Sequence, residues 1–127
     1  MSLEGEGKNE EALKLFQQAW DEATNNFEKF TSAHYVARHQ KSIENKLHWD
    51  KLALNLALQI YDEDIKATYP SLYLNIAKCY EDLGDQENAI YNYEKANSFI
   101  KYLGDDGYGK MIKNGIQMGI QRASQNK

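Results

Sequence analysis

Apolar residues recur every three or four positions through most of this 127-residue chain, and that spacing constrains the fold more than any other feature. The period places side chains on one face of an α-helix, whereas a strand would need alternation at every second position. The stretch 86–103 shows the pattern with apolar residues at Ala89, Ile90, Tyr93, Ala96 and Ile100. With a single proline to interrupt helices, the sequence predicts an all-α protein.

About six helices are predicted from these apolar stripes and from the residues that end them. They cover roughly 9–25, 27–41, 46–61, 70–83, 86–103 and 108–123. Pro70 fits the first turn of the fourth helix, where a missing backbone N–H costs nothing. Gly84 can supply the left-handed position after that helix, and Asp85 can cap the next one. Short links then predict antiparallel helical hairpins in a single domain over 9–127.

Composition and charge exclude several classes of protein. Residues 1–8, MSLEGEGK, are interpreted as a flexible leader or an expression scar outside the fold. A formal net charge of -4 gives no broad attraction to phosphate backbones, so nucleic acid is not an expected partner. No stretch approaches the roughly 20 apolar residues of a membrane span. The lone Cys79 excludes a disulfide within the chain and suits a reducing cytoplasm, where we expect this soluble protein.

Between 67 and 96 the chain places large and small residues at a recognisable spacing. The positions are Tyr73, Ile76, Ala77, Tyr80, Gly84, Asp85, Ala89, Tyr93 and Ala96. This pattern resembles one repeat of the tetratricopeptide family, and EEALKLFQQAW near the start resembles the second helix of a more degenerate repeat. Lys101 stands where the family has its final proline, so the fifth helix is predicted to run longer than usual. Over about 9–123 the chain also resembles small bacterial helical-repeat proteins.

The resemblance implies an architecture as well as a function. Helical hairpins would stack as a short right-handed superhelix with 108–123 as a C-terminal capping helix, and the first helix of each pair would line a concave groove. In the matched repeat the groove positions of the family fall on Ser71, Leu74, Asn75, Lys78, Glu81 and Asp82. Such a groove would bind a protein or peptide, with the Asn75 amide holding a peptide backbone and Lys78 meeting a carboxylate. An ordinary polar helix face is the alternative interpretation of these residues.

Two residues of the predicted second helix are further candidates for contacts in this groove. His34 and Arg38 lie four positions apart, on one side of a helix. We predict that they hydrogen-bond within the groove or contact an anionic group of a ligand. No metal site is predicted, because His34 and His39 lack the i,i+4 spacing and a zinc site would need about four ligands.

The sequence contains none of the arrangements typical of an enzyme. It lacks a nucleophile paired with a base, a set of metal ligands and a glycine-rich phosphate loop after a strand. We therefore predict an interaction module without catalysis or cofactor. Two alternatives stay open: an unusual small-molecule or hydrolytic site built from His, Arg and Tyr in the groove, and a homodimer formed through exposed tyrosines and terminal helices.

Overall fold

The computed structural model describes residues 9–125, so the predicted leader lies outside the described residues. Over this range the chain is all-helical without a strand, which confirms the predicted class and the approximate number of helices. The α-helices are α1 (Asn9–Glu22), α2 (Asn26–Arg38), α3 (Ile43–Leu58), α4 (Tyr69–Asp82), α5 (Gln86–Ser98) and α6 (Gly107–Gln125). Two 3-10 helices cover Glu63–Thr68 and Ile100–Tyr102. None of the helices among these residues combines the length and apolar character needed to cross a membrane.

Side-chain caps decide where several helices begin. Asn25, Ser42 and Asp85 each accept a hydrogen bond from the backbone N–H three residues later, at 2.8, 3.1 and 3.2 Å. Helix α3 begins at Ile43, directly after the Ser42 cap, so the predicted start at 46 is wrong. The residues that were predicted to form a link are the first turn of the helix. After α4, Gly84 adopts the predicted left-handed conformation with φ of 81°.

The end of α5 differs from the prediction. The helix ends at Ser98 rather than near 103, and Phe99 leaves helical geometry at φ -110° and ψ 7°. The Phe99 ring stacks on Tyr73 at a centroid distance of 5.8 Å and meets Tyr69 edge-on at 5.2 Å. An aromatic ring that packs back onto α4 therefore accompanies the end of α5, although no proline is present there.

The chain divides into two compact units at the boundary between Ile60 and Tyr61. In the first unit, α2 packs against both α1 and α3. Helices α2 and α3 contain small and β-branched side chains with no exposed surface: Ala33, Val36, Ala37, Ala53 and Ala57. Larger rings lie at the edges, where Trp20 of α1 meets Trp49 of α3 edge-on at 5.4 Å.

In the second unit, α4 and α5 form a hairpin across the turn 83–85, and α6 packs against both helices. Gly119 of α6 lies directly on the fully buried ring of Tyr93, so that a Cβ at this position would overlap ring atom Cε1. The Tyr93 hydroxyl donates to Glu81 at 2.5 Å. Arg122 donates from Nε and Nη2 to the two carboxylate oxygens of Glu81 at 2.9 and 3.0 Å. These bonds join all three helices.

We expect Gly119→Ala to destabilise the second unit by about 1–3 kcal/mol, because the new methyl group must displace a buried ring whose hydroxyl donates to Glu81 and accepts from Arg122. Gly115→Ala on the same helix is the matched control. Its Cβ would meet Leu74 Cδ2 at 3.3 Å, at the end of a flexible side chain, and alanine gains up to about 1 kcal/mol in helix propensity. Urea unfolding followed by circular dichroism measures both variants, and equal losses would contradict the packing described for Gly119.

Candidate functional site

Two residues predicted to line a groove on α4 take part in the packing of α6. Leu74 is 8% exposed, and its Cδ2 lies against the position of Gly115. Glu81 accepts the hydrogen bonds of Arg122 and Tyr93, and the bond from Arg122 is the main reason that the pKa of Glu81 is lowered. Both side chains are thus engaged within the second unit.

The remaining α4 residues lie on one stripe of the helix. Lys78 and Asp82 are exposed, whereas Asn75 and Ser71 are half-buried. The Ser71 hydroxyl donates to the backbone carbonyl of Thr68 at 3.0 Å. Asn75, Lys78 and Asp82 therefore form a polar surface that a partner can reach, as their helical spacing predicts.

His34 and Arg38 lie on α2 in the first unit, where Arg38 is exposed and His34 is half-buried. The His34 imidazole stacks with Phe30 at 6.4 Å and meets Tyr35 edge-on at 5.5 Å. Its Nδ1 is buried without a hydrogen-bond partner among the described residues. Burial is the main cause that lowers the pKa of His34, and the positive charges of Lys46 and Arg38 act in the same direction.

We expect the stability of the first unit to fall as the pH drops from about 7 to about 5. The lowered pKa of folded His34 lies below the ordinary histidine value of about 6.5, so the unfolded chain binds a proton first and unfolding becomes more favourable. Neutral His34 makes its full contribution to folding stability above about pH 6.5. That contribution is lost completely once the pH is below the pKa of His34 in the folded protein. The buried Asp50 carboxylate opposes the shift without cancelling it.

The pH dependence of the unfolding free energy, measured for the wild type and for His34→Gln, checks this expectation. The variant should show a smaller slope between pH 5 and 7. Parallel curves over that range would show that His34 does not link stability to pH.

A groove of about 500 Å³ lies between α1 and α2 in the first unit. Its lining consists of aromatic and small side chains together with two carboxylates: Phe16, Ala19, Glu22, Ala23, Phe27, Glu28, Thr31, Ser32 and Tyr35. The sequence-predicted site residues are not among them. The structure therefore adds a second candidate surface to the polar stripe of α4.

One end of the groove is aromatic. The rings of Phe16 and Tyr35 stack at a centroid distance of 4.8 Å, with 14° between their planes. Behind them, the buried His39 ring contacts Phe16 at 5.2 Å, and its Nδ1 lies 2.9 Å from the carbonyl oxygen of Tyr35. The aromatic floor is thus held by packing and by a hydrogen bond.

The other end lies at the turn between α1 and α2 and is acidic. Glu28 accepts hydrogen bonds from the backbone N–H and the hydroxyl of Thr24, at 2.9 and 3.1 Å, while Asn25 accepts from the Glu28 N–H. The backbone bond from Thr24 is the largest cause of a lowered Glu28 pKa, so this carboxylate is ionised at neutral pH. Glu22 ends α1 at the same side. Phe27, at the rim, is 59% exposed.

Sequence reasoning did not single out this groove, although one signal for it is present. Helices α1 and α2 contain several large rings, among them Phe16, Phe27, Phe30 and Tyr35. Phe27 directly follows the first residue of α2, near the cap and away from the centre of the helix contacts. Its exposed ring lines the groove together with Phe16 and Tyr35.

Two further predictions concern reactive or metal-binding side chains. Cys79 is buried, as expected for a residue of the core. Within residues 9–125, histidine, cysteine and acidic side chains do not form groups of three or more that could hold a metal ion.

Comparison with known proteins does not place the chain in a family. No protein-family model matches it, and neither the curated proteins nor the solved structures give a match. The tetratricopeptide resemblance of 67–96 therefore stays a prediction.

Proposed function

We propose that this protein is an interaction module that binds a short segment of another protein in the α1–α2 groove, without catalysis. The observation that carries the proposal is a groove with the exposed Phe27 ring at one end and the stacked rings of Phe16 and Tyr35 at the other. Covering such rings would contribute about 25 cal/mol for each Å² of apolar surface removed from water. Aromatic side chains of this kind dominate the energetics of many protein interfaces.

The groove is large enough for a few side chains of a peptide segment. A volume of about 500 Å³ lies within the range of about 300–1,000 Å³ that is typical of sites for small ligands. A few side chains of a helix or of an extended strand would fill it. The two walls come from adjacent antiparallel helices, whose stacked rings supply a preformed floor.

The polar stripe of α4 is a second location for partner contacts. It is supported by the resemblance of 67–96 to a tetratricopeptide repeat and by the exposure of Lys78 and Asp82. The buried lone thiol of Cys79 supports an assignment to a reducing cytoplasm.

Selection of a random peptide library on the immobilised protein tests the proposal. Enriched peptides should share apolar residues and should bind Ala19→Trp at least tenfold more weakly than the wild type, because an indole at this exposed position fills the groove. Gln17→Trp is the matched control, since Gln17 is exposed on the same helix but does not line the groove. Affinities are measured by fluorescence anisotropy.

The alternatives give different results in the same experiment. Peptides that bind Ala19→Trp as well as the wild type would place recognition outside the groove, and loss of binding with Lys78→Glu would then place it on α4. A selection that enriches no peptide would contradict the proposal.

A further inference from the structure

We infer that the partner segment presents a basic side chain and an apolar side chain about 9 Å apart along the α1–α2 groove. This inference rests on the proposed function and adds the chemistry and the orientation of the partner. It follows from the position of two carboxylates at one end of the groove and of the stacked rings of Phe16 and Tyr35 at the other.

The charges that line the groove have one sign and lie at one end. Among residues 9–125, Glu22 and Glu28 are the only charged residues of the lining, at the end of α1 and in the first turn of α2. The stacked pair of Phe16 and Tyr35 forms the opposite end. Glu22 follows Phe16 by six residues in α1, which corresponds to about 9 Å along the helix axis. A cation at the acidic end and a ring or aliphatic chain at the aromatic end would complement this surface.

The position of Glu22 supports a cationic partner independently of the shape of the groove. Helix α1 ends in Asp21 and Glu22 without a basic residue in its last turn. Carboxylates at a helix C-terminus are repelled by the partial negative charge of the unpaired carbonyl groups. The Glu22 carboxylate accepts a hydrogen bond from Gln18 at 3.1 Å, which is an uncharged donor. A basic side chain of the partner would offset this local repulsion.

Glu28 is favourably placed in the free protein. It lies in the first turn of α2, where the helix dipole favours a negative charge. The two hydrogen bonds from Thr24 hold its carboxylate in one position. Glu28 would therefore orient the cation of the partner. Binding of that cation would stabilise Glu22 more than Glu28.

The distance between the acidic end and the aromatic end of the groove predicts a sequence pattern for the partner. In a helical segment, about 9 Å corresponds to six or seven residues, and residues seven apart lie on one face. In an extended segment the same distance corresponds to about three residues.

Two synthetic helical peptides test the inference. Both carry Phe and a charged residue seven positions apart on a background of alanine and glutamine, with Arg in one and Glu in the other. Fluorescence anisotropy at low salt should show that the Arg peptide binds the wild type at least tenfold more tightly than the Glu peptide. High salt should reduce this ratio, because the charges are exposed.

The variant Glu22→Gln/Glu28→Gln should weaken binding of the Arg peptide about tenfold and abolish the discrimination between the two peptides. Glu11→Gln/Glu44→Gln is the control. It makes the same change in net charge at exposed positions of the first unit outside the groove lining, and it should leave the ratio near the wild-type value.

The possible results separate the inference from the proposed function. Equal binding of the two peptides, blocked in both cases by Ala19→Trp, would overturn the basic partner and leave peptide binding in the groove intact. Failure of both peptides to bind at millimolar concentration, or binding unaffected by Ala19→Trp, would overturn both.

A measurement without peptide tests the repulsion at the end of α1. Glu22→Gln should raise the melting temperature of the free protein, because it removes a carboxylate from the helix C-terminus. The same variant should weaken binding of the Arg peptide. An unchanged or lower melting temperature would show that Glu22 is not in an unfavourable position, and it would remove this support for a cationic partner.

Discussion

Close approach of helices at alanine and glycine is the constraint on which both units depend. The alanines with no exposed surface in the two units include Ala33, Ala37, Ala53, Ala57, Ala89, Ala96 and Ala123. Because helix contacts are closely packed, a large ring can be enclosed at such a contact where the facing residue is a glycine. The contact between Gly119 and Tyr93 is the extreme case, since the ring occupies the space of a missing Cβ.

The two units differ in how far their helices enclose the large side chains. In the second unit α6 covers the hairpin of α4 and α5, and it encloses both the Tyr93 ring and Leu74. In the first unit, none of the three described helices covers the outer edge where α1 meets α2. The rings at that edge remain accessible and line the groove. The function proposed for the chain thus depends on the α1–α2 edge that the described helices of the first unit leave accessible.

Sequence patterns predict those features that depend on neighbouring residues. The left-handed turn at Gly84 and the cap at Asp85 were of this kind, and both are confirmed. The end of α5 could not be predicted, because it coincides with packing of Phe99 on another helix. The burial of Leu74 and the pairing of Glu81 likewise depend on α6, far along the chain. The groove could not be predicted from the sequence, because two helices form it together and each contributes only part of its lining.

Recognition by the first unit is the central claim, and nuclear magnetic resonance with isotope-labelled protein tests it most directly. Titration with a peptide enriched on the wild type reports a shift for each backbone amide. The largest shifts should fall in 16–35, on α1 and α2, whereas the amides of 71–82 on α4 should remain unchanged. Shifts concentrated around Asn75 and Lys78, with α1 and α2 unaffected, would contradict the account and assign recognition to the surface of α4.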